Sequence, residues 1–382
     1  MKNQVKLLVV GNVYDPHIIR FIRHLKELDN TVLIDTLSWR INKTKSNPVE
    51  HYVRYSYEVG NVNYAISIPG IRGFSKIMKI RKTLKSIPEV YDVINIHYPE
   101  YFYSFTVDLL KKKCNKLVIA PWGSDVYRVS PMVRLFLRPL YKSADYVKGS
   151  EGRFVEDCVK YFKIDRNKLV NISIGSETID YINDHIDKVS AQEAKEKIGA
   201  SGKYVITIGY NAAPEQNHIA VIDSILKIRD DLPRNLLLIL PLTYNGNEEY
   251  KKIVKSKLDH SGVDYICFDS FLPVEDVFYL RLATDLFIHV QTTDANSASL
   301  QEYLLCKKTI INGAWLQYPH YMRNGEFPYY ETESFETLSD IIKVAVEKPK
   351  YIDEKIIDEI REHGWNSQIR KWVALFKSCA ND

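Results

Sequence analysis

Short apolar runs of strand length recur along the chain, with amphipathic stretches of helical period between them. Residues 5–10 form a continuous β-type run that ends at Gly11, and residues 17–27 follow with helical spacing. Further strand patterns fall at 31–34, 92–97, 116–120, 145–148 and 168–172. A second series occupies 203–209, 235–240, 264–268, 285–290 and 309–311, with helical patterns at 273–283, 297–306 and 335–346. Such alternation predicts an α/β protein whose parallel sheets are covered by helices. Ligands of these sheets bind at the carboxyl ends of the strands. The polar loops that follow the strands are therefore where chemistry is sought.

The most informative loop lies between the strand at 285–290 and the helix at 297–306. It carries Asp294, Asn296, Ser297, Ala298 and Ser299, and Glu302 stands eight residues after Asp294. Free N–H groups at a helix start suit a phosphate, and two carboxylates suit sugar hydroxyls. A second reading of Glu302 stands beside this one: Ser299-x-x-Glu302 also fits a capping box. Other strand ends offer His97 (IHYPE), Asp125 (PWGSD) and the loop Tyr210 to His218, with Asn211, Gln216 and His218. Asp125 and the 211–218 loop also fit ordinary turn and cap chemistry.

Composition narrows the class. At 382 residues with 45% hydrophobic and 26% charged content, the chain has the length for two globular domains and the make-up of ordered protein. A net charge of +4 over this length does not argue for nucleic acid. Five scattered cysteines without a Cys-x-x-Cys favour free thiols and a cytoplasmic setting. No apolar run reaches the ~18 residues of a membrane span. The opening Gly11-Asn-Val-Tyr lacks the G-x-G-x-x-G of a dinucleotide enzyme. Zinc spacings, a P-loop, a nucleophile elbow and an Asp-x-Asp are absent too. Residues 72–86 carry Arg72, Lys76, Lys79, Arg81, Lys82 and Lys85 among Ile and Met. That is the pattern of a solvated helix face or of a surface docking on anionic lipid.

Taken in order, these landmarks resemble the retaining GT-B glycosyltransferases of the large family numbered four. Asp294 and Glu302 stand at the two positions of that family's Glu-x7-Glu, with Asp in place of the first Glu. Gly11, His17, Arg20 and Leu25 approximate its glycine loop and first helix. Trp122-Gly123-Ser124-Asp125 is similar to its "H-G-S/T-D" loop, with Trp122 where the His belongs. Gly149-Ser150-Glu151, Ser173 to Glu177 and Arg323 to Pro328 match further landmarks, and the tail with Gly364-Trp365 and Phe376 resembles its closing helix. The loop 210–218 lacks the family's Arg and Lys. It is similar instead to the loop of bacterial 4-acetamido-4,6-dideoxygalactose transferases.

The resemblance implies a GT-B fold of two Rossmann-like domains with an interdomain cleft: an acceptor domain over 1–180, a nucleotide-sugar domain over 181–360, and a C-terminal helix, 361–382, packing back towards the first. The stretch 180–203 reads as the connector. It implies a nucleotide-diphosphate sugar as donor, with no metal required, and a glycan or lipid-linked acceptor, in bacterial surface polysaccharide or glycoconjugate synthesis. The basic segment would then sit at the inner face of the membrane. Glu302 would bind the ribose and Asp294 the donor sugar. Asn211, Gln216, His218 (as a protonated donor) and the 296–299 helix start would hold the diphosphate near Gly11 and His17. Asp125 and His97 would position the acceptor. Competing classes are a nucleotide-sugar epimerase of the same fold and a non-catalytic subunit supporting an active partner.

Overall fold

The structure, a computed structural model, describes residues 4–39, 46–59, 69–149, 152–294 and 296–381, with side chains in the helix Pro69–Ser86 from residue 73 onward. It divides into two compact units. One comprises Met1–Gly175 together with Trp365–Asp382, the other Ser176–Gly364.

The first unit is built on a seven-stranded parallel sheet: β1 (Val5–Val10), β2 (Val32–Ser38), β3 (Ser56–Glu58), β4 (Tyr91–His97), β5 (Cys114–Ala120), β6 (Tyr146–Gly149) and β7 (Leu169–Asn171). Their order is β3-β2-β1-β4-β5-β6-β7. Strands β1 and β4 are buried along almost their whole length, as befits strands of a parallel sheet covered by helices. The helix Pro16–Leu28 opens where Asp15 accepts from the His17 N–H and Pro16 fills the first position. It buries Ile18, Phe21, Ile22 and Leu25, one apolar stripe of period 3.6. The last helix, Trp365–Asn381, packs in the same core through Trp365, Ile369, Trp372 and Phe376.

The second unit carries a six-stranded parallel sheet: β8 (Tyr204–Ile208), β9 (Leu236–Pro241), β10 (Asp264–Phe268), β11 (Leu286–His289), β12 (Thr309–Gly313) and β13 (Tyr330–Thr332). Their order is β10-β9-β8-β11-β12-β13. The stretch expected as a polar connector forms two of this unit's helices, Glu177–His185 and Ala191–Lys197. Ile179, Ile182 and Ala194 give it a narrow apolar stripe, which packs with Phe278 and Leu282.

In each sheet the strand order reverses once: between β1 and β4 in the first unit, and between β8 and β11 in the second. Connections leave to opposite sides at such a point and open a crevice at the carboxyl ends of the two strands. The ends of these four strands, with the loops and helix starts that follow them, carry Gly11 and His17, His97, the 209–218 segment, and Asp294 to Ser299.

Candidate functional site

In the second unit the loops after β8 and β11 are tied into one polar network, and its hub is Gln291. The side chain of Gln291 is buried; its Oε1 accepts from the Tyr210 hydroxyl (2.9 Å) and from Gln216 Nε2 (2.8 Å). Its Nε2 donates to Asp294 Oδ2 (2.6 Å) and lies 3.3 Å from His289 Nε2. The network fixes the histidine tautomer. Asn312 donates to the Gly313 and Leu316 carbonyls, so its Oδ1 is left to accept from His289 Nδ1 at 2.8 Å, and His289 Nε2 takes the bond from Gln291. Burial keeps the His289 ring below its ordinary pKa, although Asp294 at 3.8 Å opposes this. Tyr318 donates its hydroxyl to Asp294 Oδ2 (3.2 Å), and Trp315 Nε1 donates to the Gln291 carbonyl (2.7 Å).

Main-chain bonds reinforce the seam. The Thr292 N–H donates to the Glu215 carbonyl and Asn217 Nδ2 to the Val290 carbonyl. Gly209 sits at φ +63°, and a Cβ there would lie 2.9 Å from Gln216 Oε1 and 3.1 Å from His218 Nε2. The close turn after β8 thus needs glycine.

Asn211 Oδ1 accepts from the Ala213 N–H (2.9 Å), an Asx turn. His218 is buried, with Nδ1 3.1 Å from the Tyr250 hydroxyl. Burial pushes its pKa down to about 4, so the ring is neutral near pH 7 rather than the protonated donor that the sequence suggested. Asn296 accepts from Gln301 (2.9 Å). The Ser297 hydroxyl accepts from the Leu300 N–H (3.2 Å), so the helix Ala298–Leu305 is capped by Ser297 and begins at Ala298.

Glu302 therefore lies in the second turn and does not close a capping box with Ser299. Instead its Oε2 accepts from Arg281 Nε at 3.0 Å, both side chains being buried. Arg281 extends the cluster to the Tyr303 hydroxyl (3.0 Å) and to Ser299 Oγ (3.2 Å). Burial raises the Glu302 carboxyl, and the adjoining guanidinium, with a hydrogen bond from Thr178, opposes that rise. Tyr244, in the loop after β9, hydrogen-bonds the Asn211 side chain; burial raises its hydroxyl above the ordinary tyrosine pKa, and that hydrogen bond opposes the rise.

In the first unit, His97 ends β4 with its ring against Phe21 (4.5 Å between centroids) and Trp372 (5.9 Å). Neither ring nitrogen has a partner among the described residues. Burial pushes its pKa down to about 3, so this imidazole is neutral. Asp125 is also buried. Its Oδ1 accepts from the Trp122 N–H (2.9 Å) and the Gly123 N–H (2.8 Å), and Gly123 adopts φ +115° to make the turn. The second oxygen has no partner among the described residues, and burial raises the carboxyl to about 6. Lys148, buried at the end of β6, donates to the Pro121 carbonyl (2.9 Å), and burial lowers its amine to about 8. The turn Pro121 to Asp125 is thus held by a lysine on its carbonyl and an aspartate on its N–H groups. His17 is exposed on the first helical turn, 5.2 Å from the Trp122 ring. Gly11 lies against Ile18 and His97. Tyr98, directly after His97, has φ +50°, uncommon for a non-glycine residue, and its hydroxyl meets Ser124 Oγ at 3.3 Å.

The structure thus gathers Gln216 and Asp294 in one network. It places Glu302 and Ser299 in a neighbouring cluster, and it sets Gly11, His17, His97 and Asp125 on the edge of the first unit. Sequence reasoning missed Arg281, Gln291, Tyr210, Tyr244, Tyr318, His289 and Lys148. Gln291, in the loop before the helix Ala298–Leu305, and Tyr210, in the loop 210–218, lay where the pattern directed attention. Ser150, Glu151 and the Arg72 side chain lie outside the described residues, as does Ala295 within the loop. Among the described residues, no group of three or more His, Cys, Asp or Glu is placed to hold a metal ion.

Residues 6–148 match the family model described as "Glycosyl transferase 4-like". No curated protein matches the chain. Solved structures do. A glycosyltransferase from Rickettsia africae ESF-5 superposes with a TM-score of 0.72 at 14% identity, covering 99% of this chain and 99% of that one. Sucrose-phosphate synthase from Thermosynechococcus elongatus gives 0.73 at 11% identity, covering 98% and 99%. The fold is GT-B. Anabaena Alr3699/HepE in complex with UDP, similar at a TM-score of 0.69 and 15% identity over 98% of this chain and 100% of that one, has the same architecture. Within the GT-B frame, the Gln291 network lies at the switch point of the second unit and the Asp125 turn near that of the first.

Proposed function

We propose that this protein is a glycosyltransferase that moves a sugar from a nucleotide-diphosphate donor to a glycan or lipid-linked acceptor, in surface polysaccharide or glycoconjugate synthesis. The observation that carries the proposal is the Gln291 network. It welds the loops after β8 and β11 into one rigid polar edge at the reversal of the sheet, where α/β folds take nucleotide ligands. The family match over residues 6–148 and the GT-B fold support it. UDP bound to Anabaena HepE shows a protein of similar fold that takes such a nucleotide.

In this reading Glu302 accepts from the donor ribose. Arg281 keeps that carboxylate charged and aimed, and an ionised carboxylate has acceptor positions beyond the ones used. Asp294, oriented by Gln291 and Tyr318, contacts the donor sugar. Asn211, Gln216 and the Asn296–Ser299 start of the helix face the diphosphate. His218 stays neutral. In the first unit, Asp125 and His97, each with polar atoms unpartnered among the described residues, position the acceptor, His97 as a neutral ring.

The transfer retains configuration. The bond from C1 to the diphosphate oxygen breaks, a bond from C1 to the acceptor hydroxyl oxygen forms, and the hydroxyl proton passes to the leaving phosphate. The chain supplies orientation and prearranged dipoles rather than a nucleophile, and no metal takes part. A nucleotide-release assay with UDP-, GDP-, dTDP- and CMP-sugars and a polyprenyl-diphosphate glycan acceptor tests this. Acceptor-dependent release from one donor is expected, and release from none overturns it.

A second reading, a non-catalytic partner subunit, is favoured by one observation. Residues 209–218 contain no Lys or Arg to neutralise a diphosphate. Nucleotide binding without turnover would select it.

A further inference from the structure

In the first unit, β6 carries a lysine into the interior. Lys148 is buried, and among the described residues its ammonium bonds one acceptor, the Pro121 carbonyl, at 2.9 Å. Pro121 opens the turn that Asp125 closes, with Asp125 Oδ1 accepting from the Trp122 and Gly123 N–H groups (2.9 and 2.8 Å). A buried cation and a buried carboxylate thus grip the same five-residue turn. An ammonium in the interior is costly, and apolar side chains often replace a buried ion pair at no loss of stability. Stability alone therefore does not account for a lysine at this position.

The groups around this pair stay neutral or are paired elsewhere. Burial raises the Tyr141 hydroxyl, on the helix Pro131–Ser143, and the Cys158 thiol, on the helix Arg153–Phe162, well above their ordinary values. It holds His97, at the end of β4 and facing His17, in the neutral form. Asp157 is taken up by Arg153 (3.3 Å) and the Tyr127 hydroxyl (3.1 Å). Lys148 is the cation that acts on Asp125, and Asp125 the carboxylate that acts on Lys148. Burial lowers the amine only to about 8, so it is charged near pH 7. Burial raises the carboxyl to about 6, and the two N–H bonds and the ammonium oppose that rise. Asp125 Oδ2 and the Tyr141 hydroxyl have no partner among the described residues.

We propose that Lys148 is a positioning residue: from beneath the turn Pro121 to Asp125, its buried charge keeps Asp125 ionised at neutral pH, so that the carboxylate accepts a hydrogen bond from the sugar acceptor. Without the ammonium, burial would leave Asp125 protonated, a donor where an acceptor is needed. Lys148 itself touches no substrate and acts through Asp125. The inference deepens the glycosyltransferase reading, on which its account of the sugar acceptor rests. The effect of Lys148 on Asp125 is measured without turnover.

The test uses the full chain with carbon-labelled aspartate, and NMR of the side-chain carboxyls follows the ionisation of Asp125, its signal assigned by Asp125→Asn. Two variants are compared, Lys148→Met and Lys148→Gln, the second keeping an N–H donor without the charge; near-UV circular dichroism establishes that each folds. Each is expected to raise the pH midpoint of the Asp125 signal by about two pH units, within the range that removal of a neighbouring opposite charge produces. At pH 7 about a tenth of Asp125 would then be ionised, so kcat/KM for the sugar acceptor should fall about tenfold. KM for the nucleotide sugar should be unchanged, and the loss should close towards about pH 9 as the carboxyl ionises. In an Asp125→Asn background, Lys148→Met should cost nothing further. An unchanged midpoint in a folded variant overturns the proposal. So does a loss of turnover that is the same at every pH, that raises the donor KM, or that adds to the loss from Asp125→Asn, each the mark of a merely structural lysine. A raised midpoint in a protein that turns over no donor leaves the coupling of Lys148 to Asp125 standing and removes only the enzymatic reading.

Discussion

The buried pair Arg281–Glu302 gives the sharpest prediction, because it decides what Glu302 is for. Both residues are about 5% exposed, their side chains 3.0 Å apart, and among the described residues the guanidinium also bonds the Tyr303 and Ser299 hydroxyls. At an effective dielectric of about 20, two unit charges at this distance attract by about 5 kcal/mol, much of which the cost of burying them offsets. Removing one partner leaves the other charge buried and uncompensated, a loss of about 3–5 kcal/mol. Glu302→Ala should therefore lower the melting temperature of the second unit by roughly 6–20 °C, at about 2–4 °C per kcal/mol for a domain of this size. Glu302→Gln, which keeps an acceptor, should lose less. The double variant Arg281→Met/Glu302→Leu should recover to within about 1 kcal/mol of wild type, since apolar replacement of a buried pair is often near neutral. Calorimetry of the four proteins closes the cycle. A Glu302→Ala protein as stable as wild type would refute the reasoning and leave the carboxylate committed to a ligand alone.

Other outcomes follow from the same geometry. Asp125 holds its proton to about pH 6 in the folded unit against 3.8 for an ordinary aspartate. Its contribution to stability is therefore greatest below pH 4 and is lost as pH rises through 6, by about 3 kcal/mol in all. Asp125→Asn should flatten that slope in urea titrations across pH 4–7. His97 is held neutral, so its contribution is present above pH 6.5 and lost as pH falls towards 3. His97→Leu should match wild-type stability at pH 7 within about 1 kcal/mol and resist acid better, as followed by circular dichroism. Gln291→Leu breaks four contacts of the network and should weaken nucleotide binding at least tenfold in titration calorimetry, with the second unit still folded. Acceptor-dependent turnover should be unchanged in excess EDTA; its loss would contradict a reaction that needs no metal.

The strands and helices were legible because parallel sheets covered on both sides demand continuous apolar runs. β1 occupies the expected 5–10 and β10 the expected 264–268. The three-residue edge strands β3 and β13 were not legible, being too short to carry a pattern. The site was partly legible. Loops after strands could be picked out, and with them Asp294, Asp125 and Gln216. The partners that give these groups their properties were hidden, because each comes from another element. Arg281 looks like a last-turn helix residue until the fold brings it to Glu302, and Lys148 reads as the end of a strand. Nor could burial be read from the letters His97 and His218, and it is burial that holds both rings neutral.

The most direct test is equilibrium binding of UDP-, GDP-, dTDP- and CMP-linked nucleotides to the wild type, to Gln291→Leu and to Asp294→Asn, read as thermal stability of the second unit. A ligand at a hundred times its dissociation constant adds about 2.7 kcal/mol, a shift of several degrees. The account predicts that one nucleotide stabilises the wild type by this amount and that Gln291→Leu loses the shift. Asp294→Asn should keep the nucleotide diphosphate but lose the extra stabilisation from its sugar. A wild type that no nucleotide stabilises, or variants that bind as well as it does, would contradict a donor site at the loops after β8 and β11.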